Sequence, residues 1–433
     1  MSVRIEVPGP VRELVEQLED AEFETWTVGG AVRDALRGKP AEREDWDLAT
    51  RATPQQMRRV FRRTIPLGPE YGTLGVFGSD GVLYEVTTFR HDVVTYGRKA
   101  VVAFAESLDE DLSRRDFTVN AMAWHPRREV LRDPHGGERD LQAGILRAVG
   151  DPAERFREDY LRVLRGLRFA GSLGLEIEPG TWSGMTAAVP GLDRLSRERI
   201  REELMKVLAG REPSRTLRLY RRCGALDRVF GEMAPVAGRG ALATVDAVAE
   251  GGVAGAAEDT PVGVVRLAAL LLFGAGDGNG NGSAAVAELL VGLRFSRDEV
   301  ERVTEAMSGG LGPTAEQMAD PVARRRWVAG TGWGGVGDVF RVWIAALRAG
   351  TATRAEDEVR RMIAAATRDR DTGVPLSVAD LAIAGRDLVA RGWKPGPGIG
   401  RALHRLLDAV WANPALNTRT ALMEMVAGME EGE

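Results

Sequence analysis

The stretch TWTVGGAVRDALRGKPAEREDWDLAT, residues Thr25 to Thr50, decides how the first part of this chain folds. Its first residues are β-branched and aromatic, which favours a strand, and AVRDALRG has the apolar spacing of a helix. Gly29 and Gly30 stand between the two, so a strand would lead into a helix through a glycine turn. Backbone N–H groups at such a point can hold a phosphate, which glycine allows to approach closely. A tight turn selected only for its backbone angles is the alternative.

Asp45 and Asp47 form a second pattern in the same stretch. On an extended segment, residues i and i+2 point to one face, so the two carboxylates converge. Like charges this close are costly unless a cation lies between them, and oxygen ligands suit Mg²⁺. Glu85, in VLYEVTTF, lies among apolar residues on a predicted buried strand and would complete a two-metal site for phosphoryl transfer. A surface turn is the alternative for the aspartate pair alone.

The composition indicates a globular chain of several domains. A chain of 433 residues with 44% hydrophobic and 28% charged residues is long enough for two to four domains. The single cysteine excludes a disulfide framework and a multi-cysteine metal site. The charged N-terminus lacks a signal-peptide core, and the most apolar run, LAALLLFGAG, is too short to span a membrane. We therefore expect a cytoplasmic protein without a membrane partner.

The net charge of −5 disfavours nucleic acid as a partner, but the charge is unevenly distributed. Residues 151–222 carry 15 Lys and Arg against 11 Asp and Glu, with many arginines at helical spacing. A local basic face can bind phosphate on an acidic protein, although such faces are usually only solvated.

Strand patterns nearly vanish after Asp151. Mixed strand and helix patterns fill the first 150 residues, including a helix that TPQQ predicts to begin after Thr53. Three later segments are predicted as amphipathic helices: REDYLRVLRGLRFAGSLG, SRERIREELMKVLAG and SRTLRLYRRCGALDRVF. Glycine-rich stretches around 238–256 and 273–283 are predicted as loops or a loosened region of the helical part. An α/β domain followed by a long helical part is expected.

Five ordered segments resemble the motifs of class II CCA-adding enzymes and bacterial poly(A) polymerases. GGAVRDALRG…DWDLAT is similar to the nucleotidyltransferase signature, EDLSRRDFTVNAMAW to the ribose-contacting motif, and DPHGGERDLQAGILRAVGDP to the motif after it. EDYLRVLRGLRF matches the EDxxR base-reading motif, and SRERIREELMKVL resembles the last motif of the neck. The stretch from LAIAGRDLVARGW to TALMEM is similar to the end of bacterial tRNA nucleotidyltransferases.

The resemblance implies an α+β protein. An N-terminal nucleotidyltransferase head of the polymerase beta-like type, mixed α/β, would be followed by an all-helical neck, body and tail. The implied bounds are residues 1–150 for the catalytic head, 151–210 for the neck with base recognition, 211–350 for the body and 351–433 for a tail that binds tRNA.

The resemblance also assigns roles to the first motifs. Asp45 and Asp47 would bind the Mg²⁺ ions that activate the RNA 3′ hydroxyl and steady the leaving pyrophosphate, with Glu85 completing the acidic set. The remaining residues implied for the triphosphate, ribose and phosphates are Gly29, Gly30, Arg33, Arg115, Asp116 and Asn120. Asp116 would also suit the cap of the helix that follows it.

The segment EDYLR carries the base-reading prediction. Glu158 and Arg162 are spaced i, i+4, and Asp159 and Arg162 i, i+3, so all three would share one face of a helix. A helix salt bridge is the alternative. The resemblance implies that Asp159 accepts a hydrogen bond from an exocyclic amine, that Arg162 donates to the base and that Glu158 holds Arg162. Cytosine and adenine carry such an amine, whereas uracil and guanine present a carbonyl there and would be rejected.

The implied activity is template-independent addition or repair of CCA at the tRNA 3′ end, from CTP and ATP, with no obligate protein partner. Arg90 to Phe104 occupies the place of a mobile loop that CC-adding relatives generally lack. An A-adding tRNA nucleotidyltransferase, a poly(A) polymerase and a non-catalytic RNA-binding protein are the alternatives. Further nucleotide or tRNA contacts are predicted at Arg165, Arg168, Arg197 and Arg199, and His125 is predicted in a loop or on the surface.

Overall fold

Two compact units make up the chain in a computed structural model. The first lies within Met1–Glu203 and Arg218–Val229, and the second within Leu204–Leu217 and Phe230–Glu433. The residues that the structure describes are 5–39, 46–68, 71–96, 99–231, 239–248, 260–274, 283–308, 315–352 and 354–429. Within these ranges, no helix is both long enough and apolar enough to cross a membrane.

A mixed β-sheet forms the framework of the first unit. Its described strands are β1 (Thr25–Val28), β2 (Asp47–Thr50), β3 (Thr64–Gly68), β4 (Thr73–Phe77), β5 (Leu83–Thr88), β8 (Ala123–His125) and β9 (Val130–Arg132), in the order β3-β4-β5-β2-β1-β8-β9. The pairing of β2 with β5 is parallel, whereas the other neighbours are antiparallel. Separate two-stranded sheets are formed by β6 (Arg90–Tyr96) with β7 (Lys99–Phe104) and by β10 (Ile145–Leu146) with β11 (Glu176–Ile177).

Side chains alternate between two cores on opposite faces of this sheet. One face buries Leu48 and Val86 against helices, and the other buries Trp26, Val28 and Ala49. Two of the central strands contribute apolar residues to both cores, β2 through Leu48 and Ala49 and β8 through Trp124 and Ala123, as expected for strands covered on both sides.

The helices of the first unit include those that carry most of the predicted motifs. They are α1 (Gly9–Asp20), α2 (Gly30–Leu36), α3 (Pro54–Val60), α4 (Leu108–Ser113), α5 (Gly137–Gln142), α6 (Pro152–Glu158), α7 (Leu161–Leu173) and α8 (Pro179–Ala188), with 3₁₀ turns at Thr118–Asn120 and Val189–Arg194. The residues of α9 (Arg197–Ala209), α10 (Pro213–Cys223) and α11 (Ala225–Phe230) are divided between the two units, with Arg197–Glu203, Arg218–Cys223 and Ala225–Val229 in the first. The helix start predicted at Thr53 is confirmed, since Thr53 and Gln56 form a reciprocal capping box at α3.

The prediction of one continuous helix through REDYLRVLRGLRFAGSLG is wrong. The helix ends at Glu158, Asp159 is extended (φ −148°, ψ 105°), and α7 begins at Leu161. The carboxylate of Asp159 accepts a hydrogen bond from the backbone N–H of Leu161 at 3.1 Å. Aspartate competes with the helical backbone for hydrogen bonds in this way, so the local interaction interrupts the helix.

The second unit is helical in its described part. Its helices are α12 (Arg239–Ala247), α13 (Val262–Gly274), α14 (Ser283–Gly292), α15 (Arg297–Ser308), α16 (Ala315–Ala319), α17 (Pro321–Ala349), α18 (Glu356–Asp371), α19 (Gly385–Ala390), α20 (Pro397–Ala412) and α21 (Arg419–Ala427), with 3₁₀ turns at Val378–Asp380 and Pro414–Leu416. The loop prediction around 238–256 is wrong for Arg239–Ala247, where Ala241, Leu242 and Val245 are buried on a helix. Apart from the two-residue strand β11, the α+β arrangement agrees with the sequence prediction.

Candidate active site

A cleft of about 440 Å³ in the first unit collects residues from most of the predicted motifs. Among the described residues, six arginines and three aspartates line it. This excess of guanidinium groups makes the cleft suited to a polyanion such as a triphosphate, since arginine donates in a fork that matches phosphate oxygens. The lining residues are Gly29, Gly30, Arg33, Asp47, Arg114, Arg115, Asp116, Asn120, Asp159, Leu161, Arg162, Arg165, Phe169 and Arg199.

Gly29 connects β1 to α2 in a conformation that other residues rarely adopt. Its φ is +80° and its ψ −137°. A Cβ atom there would lie 3.3 Å from Nη1 of Arg115 and 3.6 Å from Oδ2 of Asp47. Glycine is therefore favoured by the backbone angles, and a side chain there would also press against the guanidinium of Arg115.

Asp47 and Glu85 lie on neighbouring strands of the sheet. Leu48 of β2 pairs with Val86 of the parallel strand β5. Asp47 and Glu85 precede these two residues, so their side chains point to the face of the sheet opposite to Leu48 and Val86. Both carboxylates are exposed, which differs from the burial expected around Glu85, and Glu85 is not among the cleft-lining residues. Asp45, the other predicted metal ligand, lies outside the described residues.

Asp47 and Glu85 are the predicted metal ligands that lie within the described residues. Within the described ranges, no three Asp, Glu, His or Cys side chains form a group that could hold a metal ion. Asp47 and Glu85 supply two carboxylates on adjacent strands, and carboxylate oxygens are the ligands that Mg²⁺ prefers. The described donors thus fit the type of ion expected, and the complete set depends on Asp45.

A hydrogen-bonded chain links the glycine motif to the RRDFTVNA motif. Nη1 of Arg33 donates to Oδ1 of Asn120 at 2.6 Å, and Nδ2 of Asn120 donates to Oδ1 of Asp116 at 3.2 Å. Oδ2 of Asp116 accepts from Nε of Arg165 at 2.9 Å. Burial alone would raise the pKa of Asp116, but the charge of Arg165 and the bond from Asn120 outweigh it and lower the pKa. Asp116 is therefore ionised at neutral pH. It is not the N-cap of the 3₁₀ turn that follows, since that position is occupied by Phe117.

Arg114 and Arg115 are fixed from behind by one carboxylate. Asp111 is 1% exposed and accepts from Nε and Nη2 of Arg114 at 2.9 and 2.8 Å and from Nη2 of Arg115 at 3.1 Å. Burial would raise the pKa of Asp111, but the charges of the two arginines hold it below its usual value. Arg114, which the sequence prediction did not select, is consequently positioned in the cleft together with Arg115.

The base-reading motif is arranged differently from the predicted single helix face. Oε2 of Glu158 accepts from Nη1 of Arg162 at 2.5 Å, while Nη2 of Arg162 donates to the carbonyl of Arg114 at 3.1 Å. The carboxylate of Asp159 instead accepts from Nη1 and Nη2 of Arg199, at 3.1 and 2.7 Å. Asp159 and Arg162 line the cleft, whereas Glu158 does not. The two bonds from Arg199, which is 40 residues away on α9, orient the carboxylate of Asp159.

The other predicted arginines are placed unequally. Arg165 lines the cleft, whereas Arg168 forms an ion pair with the buried Glu203 at 2.7 Å and is not a lining residue. Arg197 is exposed at the first residue of α9. The segment Arg90–Phe104, predicted as a loop, forms the antiparallel hairpin β6–β7, with residues 97–98 outside the described ranges.

The placement of His125 at the surface is wrong. It is 0% exposed on β8, and its Nε2 lies 2.9 Å from Oε1 of Glu19. Its Nδ1 accepts a hydrogen bond from the backbone N–H of Arg128 at 3.1 Å, and its ring makes an edge-on contact with Trp26. Both ring nitrogens therefore have partners, which allows the residue to be buried. Phe169 lines the cleft but was not predicted as a site residue. An aromatic residue at helical spacing has the same sequence pattern as an ordinary core residue.

The sheet, its cleft and the helices that follow define a nucleotidyltransferase head joined to a helical part. Three family models match the chain in order: "Poly A polymerase head domain" at residues 25–147, "Probable RNA and SrmB- binding site of polymerase A" at 174–236, and "tRNA nucleotidyltransferase domain 2" at 351–426. The chain belongs to the family of class II CCA-adding enzymes and bacterial poly(A) polymerases.

Individual relatives agree with this assignment. The chain is similar to the CCA-adding enzyme of Streptococcus suis, with 46% identity over 197 residues, which are 45% of this chain and 48% of the relative. It is also similar to the CCA-adding enzyme of Limosilactobacillus fermentum, with 41% identity over 225 residues, 50% of this chain and 55% of the relative. The chain thus matches about half the length of these curated relatives. The structure of the Bacillus stearothermophilus CCA-adding enzyme in complex with CTP is similar over 97% of both chains, with 27% identity and a TM-score of 0.76.

Proposed function

We propose that this protein is a template-independent tRNA nucleotidyltransferase that adds or repairs CCA at the tRNA 3′ end, using CTP and ATP. The observation that carries the proposal is the convergence of the glycine turn, Asp47, the RRDFTVNA motif and the EDYLR motif on one arginine-rich cleft. The names of the relatives, CCA-adding enzymes, and of the CTP-bound structural neighbour support the same activity.

The cleft arginines would bind the triphosphate. Arg33 and Arg115 lie beside the glycine turn. A hydrogen bond to Asn120 orients Arg33, and one to Asp111 orients Arg115. Prearranged donors of this kind stabilise charge that develops on the phosphates without reorganising during the reaction. Asp116 and Asn120 would contact the ribose, whose 2′-OH distinguishes ribonucleotides.

Asp159 and Arg162 would read the base in place of a nucleic-acid template. Asp159, held by Arg199, has acceptor capacity left for an exocyclic amine, since a carboxylate has about four lone-pair sites. Arg162, fixed by Glu158, would donate to a ring nitrogen or carbonyl. Cytosine and adenine satisfy both groups, whereas uracil and guanine would place a carbonyl against the Asp159 carboxylate.

Mg²⁺ is the metal that the family and the donors imply. Asp45 and Asp47 would hold it, with Glu85 on the adjacent strand as the third carboxylate. The bound ions would supply charge neutralisation at the attacking 3′ oxygen and at the leaving pyrophosphate.

The rest of the chain would present tRNA to the head. We assign residues 1–150 to the catalytic head, 151–210 to the neck, 211–350 to the body and 351–433 to the tail, with phosphate contacts that carry no sequence information. Arg197, exposed on α9, is a candidate for such a contact, whereas Arg165 and Arg199 belong to the nucleotide cleft. Because tRNA is the substrate, we place the protein in the cytoplasm.

Three tRNA transcripts, ending at the discriminator base, at CC and at CCA, test the proposal when incubated with Mg²⁺, CTP and ATP. Sequencing of the 3′ ends should show growth of the first transcript to CCA, followed by arrest. Extension of the CC transcript alone would identify an A-adding enzyme, and adenylation beyond CCA a poly(A) polymerase. No extension of any transcript would contradict a catalytic role and favour an RNA-binding protein.

The Asp47→Asn variant tests the role of the carboxylate in the same assay. We expect turnover to be lost while the thermal unfolding transition stays in place, because Asp47 is exposed at the first residue of β2. The control is Asp20→Asn, which removes an exposed carboxylate of the same unit that pairs with Arg127 on the surface. Full activity of Asp47→Asn would remove the metal-based proposal.

A further inference from the structure

Phe169, on α7, is an aromatic ring in the wall of the cleft surrounded by cations. It is 8% exposed, and within the described residues three guanidinium groups approach it. The Cζ atoms of Arg168, Arg165 and Arg33 lie 4.4, 5.2 and 5.5 Å from the ring centroid. All three distances are within the range in which an aromatic ring attracts a cation.

These contacts close a circuit of interactions around the cleft. Arg33 is bonded to Asn120, Asn120 to Asp116, and Asp116 to Arg165, as described above. Arg165 and Arg33 then meet again at the ring of Phe169. The members come from three distant segments of the chain, and Phe169 is the only one without a polar group.

The charges of the circuit explain why an aromatic ring stands there. Asp116 and Glu203 are the buried carboxylates that pair with Arg165 and Arg168. Among the ion pairs of the described residues, Arg33 pairs only with the carboxylate of Asp34, the next residue in the chain. The π-electrons of Phe169 supply additional attraction for cations that would otherwise repel one another.

The ring is itself supported by other aromatic residues. Phe117 packs edge-on against it, with centroids 6.1 Å apart and an interplanar angle of 78°, and Phe156 lies 6.3 Å from Phe117. Gly166 allows this packing, because a Cβ at that position would lie 2.6 Å from Cζ of Phe117. Phe169 is thus held in one orientation from behind.

We propose that Phe169 is a positioning residue for the phosphate-binding arginines, and that its ring keeps Arg33 oriented for the nucleotide triphosphate. The proposal rests on the proposed function in that it assigns Arg33 to the triphosphate. A leucine at this position keeps the apolar packing and removes the ring, so phosphate binding should weaken more than folding does.

The test is direct binding of ATP, CTP and inorganic tripolyphosphate in the presence of Mg²⁺ and without tRNA, measured by titration calorimetry. Phe169→Leu should weaken all three ligands by about tenfold, the loss expected when a desolvated cation–π contact is removed. Phe169→Tyr retains the ring and should restore binding to within about threefold of the wild type. Phe61→Leu is the control, since it removes a ring of similar exposure, 7%, from the core on the other face of the sheet, at a position that does not line the cleft.

Thermal unfolding of each variant separates positioning from folding. Weaker binding in Phe169→Leu, with a melting temperature comparable to that of Phe61→Leu and normal binding in that control, supports the proposal. Unchanged binding in Phe169→Leu, or an equal loss in Phe61→Leu, would overturn it, as would a wild type that binds none of the three ligands. A wild type that binds nucleotides but extends no tRNA would refute the proposed activity and leave the role of Phe169 in place.

Discussion

Replacing Arg199 with methionine should reduce the ability of the protein to distinguish CTP from UTP. The substitution keeps a long side chain on α9 and removes the two hydrogen bonds, of 3.1 and 2.7 Å, that orient the Asp159 carboxylate. Asp159 would then retain the bond from the N–H of Leu161 and gain freedom to rotate. Its alignment with the exocyclic amine of cytosine would weaken, and so would its repulsion of the carbonyl of uracil.

The size of the effect follows from the exposure of the pair. Bonds to charged groups contribute about 1.5–3 kcal/mol when buried. The side chains of Arg199 and Asp159 are 31% and 28% exposed, so water would replace part of what is lost. We therefore expect about 1–2 kcal/mol in discrimination, which corresponds to a decrease of roughly five- to thirtyfold in the ratio of kcat/KM for CTP to that for UTP.

Single-nucleotide incorporation into the transcript that ends at the discriminator base would measure this ratio. Arg197→Met is the matched control, because it removes an arginine two residues away on the same helix. A contact to tRNA phosphate carries no information about the incoming base, so this control should keep the ratio even if overall activity falls. A ratio unchanged in Arg199→Met, or reduced equally in Arg197→Met, would refute the idea that Arg199 orients Asp159.

Two further substitutions test the structure around and beyond the cleft. Gly29→Ala should lower the free energy of unfolding by about 1–3 kcal/mol, because its φ of +80° strains any other residue, whereas Gly30→Ala, at the start of α2, should leave it nearly unchanged in urea denaturation. In the second unit, burial would raise the pKa of Asp369, but hydrogen bonds from Arg324 and Arg325 hold it below its usual value. A lowered pKa means that the stabilisation is present above the unfolded value of about 3.9 and is lost as the pH falls through the folded value. Asp369→Asn should therefore lower the free energy of unfolding by about 3 kcal/mol at pH 7, and by progressively less below about pH 4. Urea denaturation at the two pH values would measure this, and an equal loss at both pH values would contradict the assignment.

Patterns that are local in the sequence predicted the corresponding structure well. The strand, glycine turn and helix from Thr25 to Leu36 are present, as is the capped helix after Thr53. Such elements follow from side-chain periodicity and capping, which involve residues only a few positions apart. The prediction failed at Asp159, where periodicity continues across a break that one carboxylate creates through its bond to Leu161.

The residue types needed for phosphate, metal and base chemistry were present in the sequence by itself, as were their order and the resemblance that connected them. Only the tertiary structure decided which of them meet. Arg199 reaches Asp159 across 40 residues, Arg33 reaches Asn120 across 87, and a helix-spaced phenylalanine becomes part of the cleft wall. His125 was misplaced for the same reason, since its partner Glu19 is 106 residues away. Contacts of this kind depend on how helices pack against the sheet, and periodicity along the chain carries no information about partners so far apart.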